Sequence, residues 1–84
     1  AEIIYGDHYG NAMTGLRAAT LDGGRQIRVA GRVLPRARTF SDMPQGAAFW
    51  YENSIGLVEI SINRGNAMAE LGMEIGTVVE VGAW

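Results

Sequence analysis

Twelve glycines in 84 residues, about twice the usual share, interrupt the chain so often that no apolar run is long enough for more than a brief element. The runs between them are rich in Val, Ile and aromatic residues, the pattern of an all-β domain of many short strands. Asp22-Gly23-Gly24 reads as a hairpin turn between residues 16–21 and 25–34, because glycine accepts positive φ without steric penalty. In the second of those segments Ile27, Val29, Gly31 and Val33 alternate with Gln26, Arg28, Ala30 and Arg32, a period of two that sets one face to the core and one to water. Pro35 ends that ladder, and Ser41-Asp42-Met43-Pro44-Gln45-Gly46 reads as a loop.

Residues 48–53 and 57–62 form a second expected hairpin, around Ser54-Ile55-Gly56, with Val58, Ile60 and Ile62 alternating against Glu59 and Ser61. The one helical pattern covers residues 65–71, with Asn63 as the expected N-cap and Gly72 as the residue that follows the C-cap. A last strand is expected over residues 76–81. The fold class implied is all-β: a small antiparallel β-barrel of about six to seven strands with one short helix, closure being the economical way to remove sheet edges at this size. At 84 residues and 9.0 kDa the chain is a single domain, 1–84, and a two-domain enzyme is excluded for it.

Composition narrows the function classes. A hydrophobic fraction of 48% with 19% charged residues is too apolar for disorder and too punctuated for a membrane span. The absence of cysteine removes a disulfide scaffold, a thiolate metal site and a cysteine nucleophile, and it is neutral about compartment, which leaves the cytoplasm as the default. The net charge of −2 argues against a general nucleic-acid binder. Ala1-Glu2-Ile3-Ile4-Tyr5 has no initiator methionine and no signal-peptide pattern; it reads as a strand already under way, as in a domain of something longer.

Catalytic machinery is scarce. His8 is the single histidine, and no carboxylate pair joins it at metal-ligand spacing, so no metal site is expected. Gly6, Gly10 and Gly15 lack the strand–turn–helix context of a dinucleotide fingerprint. Ser54, His8 and Asp7 do not make a triad, since adjacent Asp7 and His8 point to opposite sides of a strand. What remains is a polar cluster, Asp7, Asn11, Thr14, Asn53 and Ser54, beside the flat rings of Tyr9, Phe40, Trp50 and Tyr51. Carboxylate, amide, hydroxyl and ring are what a nucleoside or amino-acid ligand needs, although the same residues also build ordinary turns and cores. Arg25, Arg28, Arg32, Arg36 and Arg38 form a stripe without an intervening acid. It admits RNA or single-stranded DNA as an alternative, with a solvated strand face as the plainer reading.

Three stretches carry a resemblance: Asp7-His8-Tyr9-Gly10-Asn11-Ala12-Met13-Thr14, then Phe49-Trp50-Tyr51-Glu52-Asn53-Ser54-Ile55-Gly56-Leu57-Val58-Glu59-Ile60, then Asn63-Arg64-Gly65-Asn66-Ala67 with Leu71-Gly72. Together they closely resemble the C-terminal domain of the S-adenosylmethionine (SAM) hydrolases, also called SAM hydroxide adenosyltransferases, which are related to the SAM-dependent fluorinase and chlorinase. The resemblance implies the smaller, β-barrel part of a two-domain subunit, with the N-terminal catalytic domain absent from this chain. It implies a homotrimer whose active sites lie between the N-terminal domain of one subunit and the C-terminal domain of its neighbour. The reaction implied is attack of water, as hydroxide, on the 5′ carbon of SAM, giving adenosine and methionine, with SAM as substrate, no cofactor and no catalytic residue on this chain.

Carried over, the resemblance places Asp7 at the methionine ammonium, Tyr9 and Phe40 against the nucleoside, Asn11 in a hydrogen bond to it, Ser54 at the methionine carboxylate, and the backbone around Asn63, Arg64 and Gly65 at the adenine edge. Each has a plainer role beside it: Asp7 and Ser54 as turn residues, Tyr9 and Phe40 as core. The chain departs from the family at Tyr9, where phenylalanine is usual, at Gly15, where asparagine commonly follows the threonine, and at Ile55, where halogenating relatives carry arginine. That last difference speaks against a halogenase, but the halide pocket lies mainly in the other domain, so a halogenase-type SAM substitution domain stays one alternative. The other is an assembly module that buries Trp50, Trp84 and the arginine strand against a neighbouring subunit. No nucleic-acid or membrane partner is expected.

Overall fold

A computed structural model describes residues 1–39 and 43–84. Among the described residues seven strands run in the order β1 (Ile3–Gly6), β2 (Ala12–Arg17), β3 (Gln26–Val29), β4 (Arg32–Leu34), β5 (Ala48–Glu52), β6 (Leu57–Ile62) and β7 (Glu80–Gly82), with a 3₁₀ turn at Ala18–Leu21 and one helix, α1 (Ala67–Glu70). They form two antiparallel sheets, β1-β2-β6-β5 and β4-β3-β7. The ladder of each sheet is separate. Beside the outer strands the two sheets meet at two isolated bridges, Glu2 with Val78 next to β1 and β7, and Arg36, just past β4, with Trp50 of β5. The second bridge is parallel.

The core lies between the sheets. Ala12 pairs with Ile60, and Ile60 with Trp50, so these side chains point inward together with Ile27, Val29 and Leu34, all at most 3% exposed. Each fully buried Ile, Val or Leu contributes about 1.5–3 kcal/mol relative to an exposed one. Trp50 therefore belongs to the chain's own core and is not free for a subunit contact, whereas Trp84 is 47% exposed. A bulge in β2 between Met13 and Arg17 breaks its ladder with β6. Buried Thr14 repairs it: its hydroxyl donates to the Val58 carbonyl at 2.8 Å and accepts from the Leu16 amide at 3.1 Å.

Four local expectations are corrected. Asp22-Gly23-Gly24 is not a hairpin; β2 and β3 lie in different sheets, and the turn carries the chain from one to the other. Residues 25–34 are not one strand but the β3–β4 hairpin, in which Val29 faces Arg32 across Ala30 and Gly31. Both turn residues have positive φ, 52° and 75°, the left-handed geometry that a two-residue hairpin turn demands. The helix begins later than expected and is capped by Asn66, not Asn63: the Asn66 side chain accepts from the Ala69 amide at 3.0 Å, and Glu70 accepts from the Asn66 amide at 2.8 Å. Residues 76–79 are a turn and a bridge, leaving only Glu80–Gly82 as strand. The C-terminal end of α1 is as expected, with Gly72 at φ 64° and the Met73 amide bonded to the Met68 carbonyl.

Candidate functional site

Alternation that sends Ile60 inward sends Glu59 and Ser61 outward, and the register places Met13 and Tyr51 beside Glu59, and Phe49 beside Ser61. This outer face is not simply wet: Ser61 is 4% exposed and Phe49 fully buried. Two loops border it. In the first, between β1 and β2, one Asp7 carboxylate oxygen accepts from the Tyr9 amide (2.8 Å) and the Asn11 amide (2.9 Å), and the other accepts from the Asn11 side-chain nitrogen at 3.1 Å. The Asn11 side-chain oxygen in turn accepts from the Ser61 hydroxyl at 2.7 Å. Asp7 thus holds the turn, as its plainer reading has it, while orienting Asn11. Tyr9 stands at the tip, 76% exposed, with His8 edge-on at 5.5 Å; its exposure excludes a core role.

The second border is the turn after β6. Asn63 ties down the neighbouring loop, donating from its side chain to the Met43 carbonyl at 2.7 Å and exchanging backbone bonds with Gly46 and Ala47. Arg64 follows with φ 58°, unusual for a side chain of its size, and the Gly65 amide closes the turn on the Ile62 carbonyl. A Cβ on Gly65 would lie 2.5 Å from the Ile62 side chain, so glycine is needed there. The helix locks the two borders together, because the Met68 amide donates to the Gly10 carbonyl and Asn66 packs so closely on Gly10 that a Cβ there would meet its amide at 2.1 Å.

Between the borders lies a cleft of about 490 Å³ lined by Tyr9, Asn11, Ser61, Ile62, Asn63, Arg64 and Gly65, a volume in the range of small-molecule sites. Tyr9, Asn11, Asn63 and Arg64 are all expected from the sequence; Asp7 sits one bond behind Asn11. Ser54 does not line the cleft: it is exposed in the β5–β6 turn, at the other end of β6 from Asn63. Phe40 lies outside the described residues. The sequence does not single out Ser61, which stands there as one more polar residue in an alternating strand; no local signal marks it, since its burial comes from the β1–β2 loop.

Further along the same face, Glu59 accepts from the Tyr51 hydroxyl and, at 3.1 Å, from the Asn53 side chain. Burial first, then the bond to Glu59 and the nearby Glu59 and Asp7 charges, pushes the Tyr51 phenol well above its ordinary range. The arginine stripe is broken up. Arg28 donates from Nε and Nη2 to the two carboxylate oxygens of Glu80, at 3.1 and 3.2 Å, and lies 4.3 Å from the Trp84 ring, while Arg36 reaches Glu52 at 3.4 Å and covers Trp50 at 4.9 Å. The bond from Arg28, then its charge, holds the Glu80 carboxyl below the usual carboxylate range. Among the described residues no three His, Cys, Asp or Glu side chains are grouped to hold a metal, and no helix is long and apolar enough to cross a membrane.

These features define the class: a small, mostly β domain of two antiparallel sheets and one short helix, with an aromatic-edged cleft on the outer face of one sheet. The profile of the SAM hydroxide adenosyltransferase C-terminal domain matches residues 1–80, and the chain belongs to that family. An (R)-S-adenosyl-L-methionine hydrolase of Thermus thermophilus is 40% identical over 95% of the chain, and another of Salinispora arenicola is 37% identical over 99%. The chain spans 31% and 32% of those two proteins, about a third of their length. Among solved structures, a conserved hypothetical protein of Thermus thermophilus superposes with a TM-score of 0.85 at 40% identity, covering 96% of this chain and 34% of that one. An uncharacterised conserved protein of Thermotoga maritima shares the fold, with a TM-score of 0.80 at 24% identity over 96% of this chain and 35% of its own.

Proposed function

We propose that this chain is the nucleoside-binding C-terminal part of an enzyme that hydrolyses SAM to adenosine and methionine by attack of water on the 5′ carbon. The observation that carries the reading is the cleft, which gathers Tyr9, Asn11, Asn63 and Arg64 from two segments about fifty residues apart in a chain of this family. In this reading Tyr9 offers its exposed ring to the nucleoside, Asn11 donates its second side-chain N–H, and the backbone of residues 63–65 faces the adenine edge. Asp7 meets the methionine ammonium, Phe40 supplies a second aromatic surface, and Ser54 meets the methionine carboxylate. The last assignment requires the ligand to run along the outer face of β6 past Glu59, a span of about 15–20 Å. SAM is substrate, and no cofactor is invoked.

The partner domain supplies the attacking water, so the work done from this side is positioning and desolvation. We further assign the chain to a cytoplasmic homotrimer in which the N-terminal domain of a neighbouring subunit closes the site, and we take the two sheets with their two bridging seams as a closed barrel. Exposed Ile4, Ile75 and Val78 lie along the seam where residues 1–3 bond to 76–79, which supports a subunit contact there. The test is chromatographic detection of adenosine and methionine from SAM incubated with the protein, its intact mass recorded alongside. No product at 9.0 kDa, with adenosine binding on titration, is the expected result. Product at that mass would show that the chain carries catalytic residues of its own; no adenosine binding would remove the nucleoside site.

A further inference from the structure

Among the described residues two polar side chains are buried, Thr14 at 0% and Ser61 at 4% exposure. Thr14 answers a backbone carbonyl beside its strand's bulge. Ser61 does something different: its hydroxyl donates to a side chain, Asn11, that lines the cleft. The direction of that bond is dictated from the far end. The Asp7 carboxylate can only accept, so the Asn11 side chain must present its nitrogen to Asp7 and its oxygen to Ser61, and the serine must then donate. An amide held at both ends in this way cannot turn over.

We propose that Ser61 is a positioning residue, the clamp that fixes the Asn11 amide so that its remaining N–H faces the ligand. This rests on the nucleoside reading of the cleft. Without the serine hydroxyl, the Asn11 oxygen loses its partner beneath the cleft floor, and the amide is held at one end only. A donor that must be ordered on binding loses affinity relative to one already in place.

The test is a double-mutant cycle on adenosine affinity by calorimetry, with Ser61→Ala, Ser61→Thr, Asn11→Ala and the double Ala variant, each first checked by its urea midpoint for retained fold. Ser61→Ala is expected to weaken adenosine binding about tenfold, the scale of one lost buried hydrogen-bond partner, Ser61→Thr to restore most of it, and Ser61→Ala to change affinity less than about twofold when Asn11 is already alanine. Equal losses in both backgrounds, or no loss in either, would overturn the proposal. A second readout needs no ligand: the Asn11 side-chain amide protons, resolved by NMR, are expected to exchange with water more slowly in the native protein than in Ser61→Ala. Equal exchange would overturn the proposal. A wild-type chain that binds no adenosine but shows the exchange difference would sink the nucleoside reading and leave the clamp standing.

Discussion

Asn11 illustrates how much a single side chain is asked to do at the edge of a sheet. Its backbone amide and its side-chain nitrogen both serve Asp7, and its side-chain oxygen serves Ser61, leaving one N–H for a ligand. In the complete enzyme proposed above, Asn11→Ala and Ser54→Ala are expected chiefly to raise the KM for SAM, with kcat little changed, by about 1–3 kcal/mol each in binding. Steady-state kinetics decides it, and an unchanged KM in both variants would take the pair out of the ligand site. Sequence alone names Asp7, Tyr9, Asn11, Asn63 and Arg64 because carboxylate, amide and ring in a glycine-punctuated turn match a family pattern. Ser61 stays hidden for a physical reason: the strand period predicts which way a side chain points, not whether a loop from fifty residues away will cover it. Arg64 and Gly65 carry a related lesson, since the turn they form, with Arg64 left-handed and Gly65 close against Ile62, is what delays the helix and hands its cap from Asn63 to Asn66.

Among the elements, the β5–β6 hairpin is legible in the sequence and the β3–β4 hairpin is not. Asn53-Ser54-Ile55-Gly56 announces itself, with the Asn53 side chain accepting from the Ile55 and Leu57 amides at 3.1 and 2.9 Å. Ala30-Gly31 does not, because Gly31 falls in step with the apolar alternation and alanine is a poor turn signal. The alanine is strained at φ 52°, so Ala30→Asn should stabilise the protein by about 0.5–1 kcal/mol, read from the urea midpoint, since asparagine tolerates that region. The β5–β6 pair also carries a pH signature. The folded state raises the Tyr51 phenol above its unfolded value, so the contribution is fully present below about pH 10 and is lost as pH rises through the folded value. Urea midpoints should therefore fall on the alkaline side of about pH 10, and Tyr51→Phe should flatten that fall. An unaltered slope in the variant would assign the effect elsewhere.

For the whole molecule, the two sheets are each continuous, but they meet at two seams of one bridge apiece. Opening a seam breaks few bonds, whereas opening β2–β6 or β5–β6 breaks a ladder, so native-state hydrogen exchange should find the amides of Ile3, Val79 and Ala37, whose bonds span the seams, less protected than those of Val58 and Ile60. Equal protection would mean that the seams open only with the entire fold. The barrel expectation rests on the need to dispose of edges, and the short strands explain why ladders alone do not meet that need here. The cleft has a place in time as well as in space. Its Ser61 wall belongs to a hairpin closed by a short turn, a microsecond event, while its Asn11 wall must arrive from 50 residues away, a far slower encounter. A nucleoside lodged between them would therefore act as a clasp on the last joint to form, prolonging the life of the finished molecule without hastening its assembly.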